Sequence, residues 1–452
     1  MKKTVSIILS VGLLSSMLAG CMSSGKKTTQ AAGGTGGDAS PKSGITIRIA
    51  SAETGAEAMK ALTDAGAEYE KKTGVKVIAE AVPLNDMYTK INATYFTSAQ
   101  YNAFLTGYIG HIIMLQKLGR LEPVDDIINS LGGKKDFYDG QILFPIEGKT
   151  YWIPYDYNLA YGYIRKDWLQ EKGLSVPKTW DELIQVAKAF TDKSKNKFGL
   201  IMPLKNDDST NWVTTSLLWS NDVHIFDDKW NVVLDSPQMK PKAVEALNTL
   251  KQLYPYMPEK AVNASYADLT EAFIGDQVGM TFYSGRLVDL IEAKNKNLSD
   301  KFEVFGIPTK DGKGVAATLG YDGIGILKTD HSDETKKFVE WFYKEKLLSF
   351  LGTFPVHYFP AQKSIYENET WRSLPNIKKY WDSGVKPQYD LLKNAKLNSI
   401  DSDGPAADER PATVFQSLVF PKMFQRITVN NEDPGKVVDD TANEIRSMLK
   451  KQ

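Results

Sequence analysis

Between Tyr155 and Tyr163 the chain carries four tyrosines together with Asp156 and Asn158. Strand tyrosines ordinarily pack half-buried. This density of aromatic faces and hydrogen-bonding groups also suits a wall that grips a sugar. A second group stands at Tyr283-Ser284-Gly285-Arg286. A guanidinium there can fork onto a carboxylate or onto adjacent hydroxyls, or it can pair with Asp289 on its own helix. Trp212 and Trp219 are seven residues apart and would share one face of a continuous helix. That spacing reads first as packing, with Trp212 also a candidate binding platform.

Other chemistry lacks its signatures. There is no Gly-x-Ser-x-Gly elbow, no His-Glu-x-x-His and no phosphate-cradling Gly-x-x-x-x-Gly-Lys-Ser/Thr loop. The four histidines, His111, His224, His331 and His357, are scattered, so no metal site and no cofactor are expected. Carboxylates are plentiful, and composition alone leaves a glycoside hydrolase open. Asp401, Asp403 and Asp408 form an acidic loop cluster, but its spacing is not that of an EF-hand calcium loop.

The 452 residues exceed one comfortable core, so two or more lobes are expected. A formal net charge of zero argues against a nucleic-acid partner. Lys2 and Lys3 precede an apolar run from Val5 to Leu18, and Leu18-Ala19-Gly20-Cys21 reads as a lipobox. Residues 1–20 are thus expected to be a signal peptide and Cys21, the only cysteine, to be acylated. Residues 21–44, poor in apolar side chains, read as a tether.

From Ile45 onward, strands alternate with helices, which predicts an α/β fold. Strands are expected at 45–49, 75–79, 103–105 and 198–202, and helices at 55–72, 84–98, 109–118, 209–221, 241–254 and 335–348. Thr179 followed by Glu182 has capping-box spacing at a helix start. Phe338, Val339, Trp341 and Phe342 are expected in the core. Ligands of open α/β sheets sit beyond the carboxyl ends of strands. That places Ser51, Glu53, Thr54, Thr106 and Tyr108 on a candidate rim.

Tyr151 to Pro154, Arg165-Lys166-Asp167 and Pro177-Lys178-Thr179-Trp180-Asp181-Glu182-Leu183 follow one another. Gly119 to Pro123 precede them; Leu269 to Arg286, Pro360 to Ser364 and Asn430 to Pro434 come later. In this order the motifs resemble extracellular solute-binding proteins of the maltose-binding type, the receptors of ABC importers. The resemblance covers about residues 45–450. It implies a two-lobed, periplasmic-binding-protein-like (type II) α/β fold, with mixed sheets flanked by helices and a ligand cleft at the hinge. The lobes are expected at 45–155 with 306–355 and at 156–305 with 356–452, with crossings near 155–160 and 306–316. It further implies that the turn before Arg286 and the loop at Tyr321 and Asp322 meet the ligand. Many relatives carry Trp where this chain has Arg286, which leaves a stacking role there in doubt. Candidate ligand contacts are therefore Glu53, Tyr108, Asp156, Asn158 and Trp212, joined by Tyr283, Arg286, Tyr321 and Asp322. The implied role is capture of an oligosaccharide by a monomer anchored outside the cell, with permease subunits as partners. A peptide, polyamine or anionic uronide ligand is the alternative.

Overall fold

A computed structural model describes residues 44–138 and 143–450. The expected signal peptide and acylated Cys21 fall outside the described residues. In chain order the strands are β1 Thr46–Ser51, β2 Lys76–Ala81, β3 Ala103–Thr106, β4 Trp152–Tyr157, β5 Tyr161–Arg165, β6 Phe198–Ile201 and β7 Val278–Tyr283. They continue with β8 Phe302–Phe305, β9 Ile307–Pro308, β10 Val315–Thr318, β11 Tyr321–Ile326, β12 Phe359–Pro360 and β13 Lys396–Asn398. They form three sheets: β12-β4-β11-β3-β1-β2, β6-β7-β5-β8, and a small β13-β10-β9. The first is mixed: β2 and β3 run parallel to β1, while β11 lies antiparallel to both β3 and β4. Every residue of β4, β5, β7 and β11 is buried. Burial on both faces is the mark of strands sandwiched between helices. The protein is thus the expected two-lobed α/β fold with mixed sheets flanked by helices.

Local sequence explains the elements. The helix Ala56–Thr73 stops at Gly74, whose φ of 75° closes the last turn in the left-handed region. The helix Trp180–Phe190 starts at Thr179, which accepts the Glu182 N–H at 3.2 Å. The capping box is not reciprocal: the Glu182 carboxylate accepts the N–H of Lys178, not that of Thr179. This helix lies so close to the second sheet that a Cβ at Gly199 would come within 2.1 Å of the Ala187 carbonyl oxygen.

Three expectations change. The helix expected over 209–221 is broken into Asp208–Val213 and Ser216–Ser220. Hydroxyls of Thr214, Thr215 and Ser216 turn back onto the carbonyls of Pro203, Asn211 and Val213, a competition with helix hydrogen bonds that Ser and Thr favour. The break separates the tryptophans: Trp219 is in the core, and Trp212 is half-buried at a cavity. Trp341 is also only half-buried; its ring packs on Tyr69 beneath the ammonium groups of Lys72 and Lys346. The second crossing is displaced as well. β10 pairs with β13 and packs against the helix Ser216–Ser220, while β12 joins the large sheet beside β4. The chain therefore re-enters the large sheet at Leu319–Tyr321, later than 306–316.

Thr179→Ala removes the cap and is expected to destabilise the protein by about 1 kcal/mol, read as a lower urea midpoint at unchanged slope; an unchanged midpoint would show that the cap contributes nothing.

Candidate functional site

The strand ends converge on one cavity of about 330 Å³. Glu53 follows β1, Tyr108 follows β3, Asn158 follows β4 and Arg286 follows β7; Tyr321 and Asp322 open β11. All six line the cavity, as do Trp212 and Tyr283. Asp156 is fully buried beside Asp322. Thr54 also reaches the cavity. Ser51 and Thr106 do not line it: the Ser51 hydroxyl bonds the Glu53 carbonyl, and Thr106 bonds His111 within the core. A larger groove of about 1500 Å³, flanked by Tyr157, Phe226 and Tyr389, gathers only Tyr157 from the aromatic run. The smaller cavity is the candidate site because it lies at the carboxyl ends of β1, β3 and β7.

The aromatic wall is not the expected one. Tyr155, Tyr161 and Tyr163 are buried: Tyr155 packs on Phe350 and Tyr358, and Tyr163 donates to the Ser284 carbonyl at 2.8 Å. Central strands covered on both faces have no wet side for a tyrosine. The wall is instead Trp212, Tyr266 and Tyr283, with ring centroids 5.5–6.3 Å apart. The Trp212 indole N–H donates to the Leu319 carbonyl at 3.1 Å, which fixes the ring.

Arg286 pairs with Glu53 at 2.9 Å, not with Asp289. Its guanidinium lies 4.6 Å over Phe354, and Glu53 also accepts the Tyr358 hydroxyl at 2.7 Å. Glu53 follows a strand of the large sheet and Arg286 a strand of the second sheet, so the bond links residues at the ends of two sheets. Asp289 accepts the backbone N–H groups of Val356 and His357 and the amide of Asn376. On the cleft floor, the Asp322 N–H donates to Asp156 at 2.8 Å and Asn158 donates to the Asp322 carboxylate at 2.6 Å. Burial, then the negative charge of Glu53, push Asp322 up to about 7, against the pull of Arg286. Burial and the charges of Asp322 and Glu53 push Asp156 well above the usual carboxylate range. Burial and then Arg286 hold His357 far below the usual imidazole value, so it is neutral.

Sequence reasoning missed two walls. His357 lines the cavity and Tyr358 binds Glu53; the run Phe354 to Phe359 is as aromatic as Tyr155 to Tyr163 and was the available signal. The helix Glu409–Ser417 supplies Phe415, whose ring stacks on Tyr108 at 4.6 Å, and the Tyr108 hydroxyl donates to Ala412. A lone Phe on an amphipathic helix reads as core, so no local signal marked it. The acids of the cluster work separately. Asp401 accepts from Ser399, Asp403 ties His224, Asn398 and the N–H groups of Ile225 and Phe226, and Asp408 caps a helix. Among the described residues these three acids form no ion-holding group.

A two-lobed α/β protein with a polar and aromatic cavity at its strand ends belongs to the class that traps small solutes between lobes. Residues 64–379 match the family model for bacterial extracellular solute-binding proteins, and the chain belongs to that family. It is 23% identical over 336 residues to YcjN of Escherichia coli K12, provisionally named an ABC transporter periplasmic-binding protein, covering 73% of this chain and 74% of that one. An ABC transporter solute-binding protein of Thermotoga lettingae with bound α-D-tagatose superposes with a TM-score of 0.72 at 17% identity, over 90% of this chain and 99% of the other. A sugar transporter protein of Arthrobacter chlorophenolicus with laminaribiose superposes with 0.73 at 15% identity, over 89% and 99%. The family works outside the cytoplasmic membrane, and no helix among the described residues is long and apolar enough to cross one.

Asp401 supplies a pH test. Burial raises its pKa from 3.8 to about 6, against the pull of the Ser399 hydroxyl. A folded pKa above the unfolded one stabilises below about pH 4, and that contribution disappears as pH rises through 6. Asp401→Asn removes the titration. Relative to the unaltered protein it should gain stability between about pH 4 and 6; a pH-independent difference in denaturant unfolding would refute the shift.

Proposed function

We propose that this protein captures a neutral oligosaccharide outside the cell by closing its two lobes, then delivers it to the permease of an ABC importer. The observation that carries the reading is the Trp212–Tyr266–Tyr283 wall beside Asn158, Asp322 and Glu53, reached from both lobes. Aromatic faces meet the C–H faces of a sugar, and the polar groups meet its hydroxyls. The enclosed volume of about 330 Å³ is at the low end for small-molecule sites, roughly 300–1,000 Å³. It suits a short saccharide, with further residues leaving through the mouth. The charges disfavour a uronide: Asp208, Asp322 and Asp401 also line the cavity, and Arg286 is engaged by Glu53.

The lobes in this reading divide at 157–160 and 318–321, and again after Pro360. A permease would read the closed form. Acylated Cys21 holds the monomer at the outer face of the membrane, on a tether of residues 22–44; the lipobox supports this. No catalytic group is assigned, since binding without turnover suffices.

The test is calorimetry and product analysis with a panel of neutral oligosaccharides. One member should bind without being cleaved. Trp212→Ala should weaken it roughly tenfold, since an aromatic contact contributes ~0.5–1.5 kcal/mol and tenfold corresponds to about 1.4 kcal/mol. Added salt should change the affinity little. Cleavage of the sugar, or preference for a uronide, would overturn the reading. Cys21→Ser is separately expected to leave the membrane fraction; a variant that still sediments with membranes would refute the anchor.

A further inference from the structure

At the cleft floor, Glu53 and Asp322 stand with a third side chain, His357, to which the carbohydrate reading gives no role. One carboxylate oxygen each from Glu53 and Asp322 and one ring nitrogen of His357 lie within 4.8 Å of one another. The three come from separate parts of the chain: the loop after β1, the start of β11 and the segment before β12. His357 is only 5% exposed, yet its Nδ1 has no hydrogen-bond partner. Asp156, behind Asp322, is fully buried and its Oδ2 has none either. Buried polar atoms are nearly always satisfied, so an unpartnered histidine nitrogen on a residue grouped with two carboxylates calls for an explanation.

We propose that Glu53, Asp322 and His357 form a binding site for a divalent transition ion, zinc or manganese, at the floor of the cleft. The donor set selects the class. Imidazole favours zinc and its neighbours, and carboxylates favour harder ions such as manganese. Three protein ligands with positions open to the cavity are the pattern of sites that take water or a ligand oxygen as the next donor. Two neighbouring hydroxyls of a saccharide would fill those positions. Ligand distances of about 2.0–2.2 Å require the three side chains to draw inward slightly. Arg286 and Tyr358 both contact Oε2 of Glu53, which leaves Oε1 as the oxygen offered to an ion. The Asp322 backbone N–H, bonded to Asp156, and Asn158, bonded to the Asp322 carboxylate, hold that ligand in place. Such outer partners commonly orient ligands at metal sites. The ion site goes beyond the proposed carbohydrate function and does not depend on it.

The full chain, solubilised in detergent and stripped with EDTA, is titrated by calorimetry with ZnCl₂ and with MnCl₂, in the absence of any saccharide. One ion per molecule is expected to bind. His357→Gln and Asp322→Asn should each weaken it by more than about a hundredfold, because loss of an outer partner alone costs about 10- to 100-fold. Both replacements keep size and hydrogen-bonding capacity, and a melting curve checks folding. Cobalt in place of zinc gives an independent readout: visible absorption bands that change in His357→Gln report the nitrogen ligand. Absence of binding by either ion at millimolar concentration would overturn the proposal, as would affinities and a cobalt spectrum unaltered in both variants. Failure of this titration leaves the saccharide panel untouched, and failure of the panel leaves the ion titration standing.

Discussion

Two antiparallel passages of chain hold the lobes together, and the site depends on their pairing. β4 and β11 lie side by side in the large sheet, and their continuations stay paired as they leave it. Asn158 donates its N–H to the Gly320 carbonyl at 3.0 Å, and Ala160 and Thr318 exchange both backbone bonds. Gly320 is required there, since a Cβ would fall 2.2 Å from the Asn158 carbonyl oxygen. This ribbon fixes the register that puts Asp156 opposite Asp322. It also holds Leu319 where the Trp212 indole can bond it. A slip of one residue would turn each of these side chains to the other face.

The same register creates an electrostatic burden. Asp156 and Asp322 are buried next to each other with Glu53 nearby, and each is pushed above its ordinary range. Burying like charges together is costly unless partners compensate. The partners present are one amide, from Asn158, one backbone N–H, from Asp322, and, at Glu53, the Tyr358 hydroxyl and the Arg286 guanidinium. A floor short of donors is matched to whatever brings donors or positive charge: hydroxyl groups, or a cation. The Arg286–Glu53 bond also ties together two residues that follow strands of different sheets.

Agreement of fold over 89–90% of this chain at 15–17% identity has a physical meaning. What such proteins share is the alternation of strands and helices and the paired crossings. Those are set by hydrophobic period, caps and glycines, and many side chains satisfy them. Specificity is set by the few residues at the strand ends, which such identity leaves free to differ.

How much could be read directly from the chain follows the range of the forces involved. Strand and helix periods, the Thr179 cap, the Gly74 stop and the two-lobed α/β class are local or additive properties, and the sequence alone determined them. It also determined part of the cavity: Glu53 and Tyr108 lie just past the strands expected at 45–49 and 103–105, visible as the close of an apolar run, whereas the turn before Arg286 entered through the family resemblance. Tertiary structure decided the rest. Only packing on both faces could tell that Tyr155, Tyr161 and Tyr163 are core while Tyr266 joins Trp212 at the wall. The break between Trp212 and Trp219 arises from hydroxyls of Thr214 to Ser216, one of which bonds Pro203 outside the helix. Arg286 met Glu53, 233 residues away, not Asp289 three residues on. A charge selects whichever opposite charge the fold brings nearest in a dry place, and nearness across a cleft is not written in spacing along the chain.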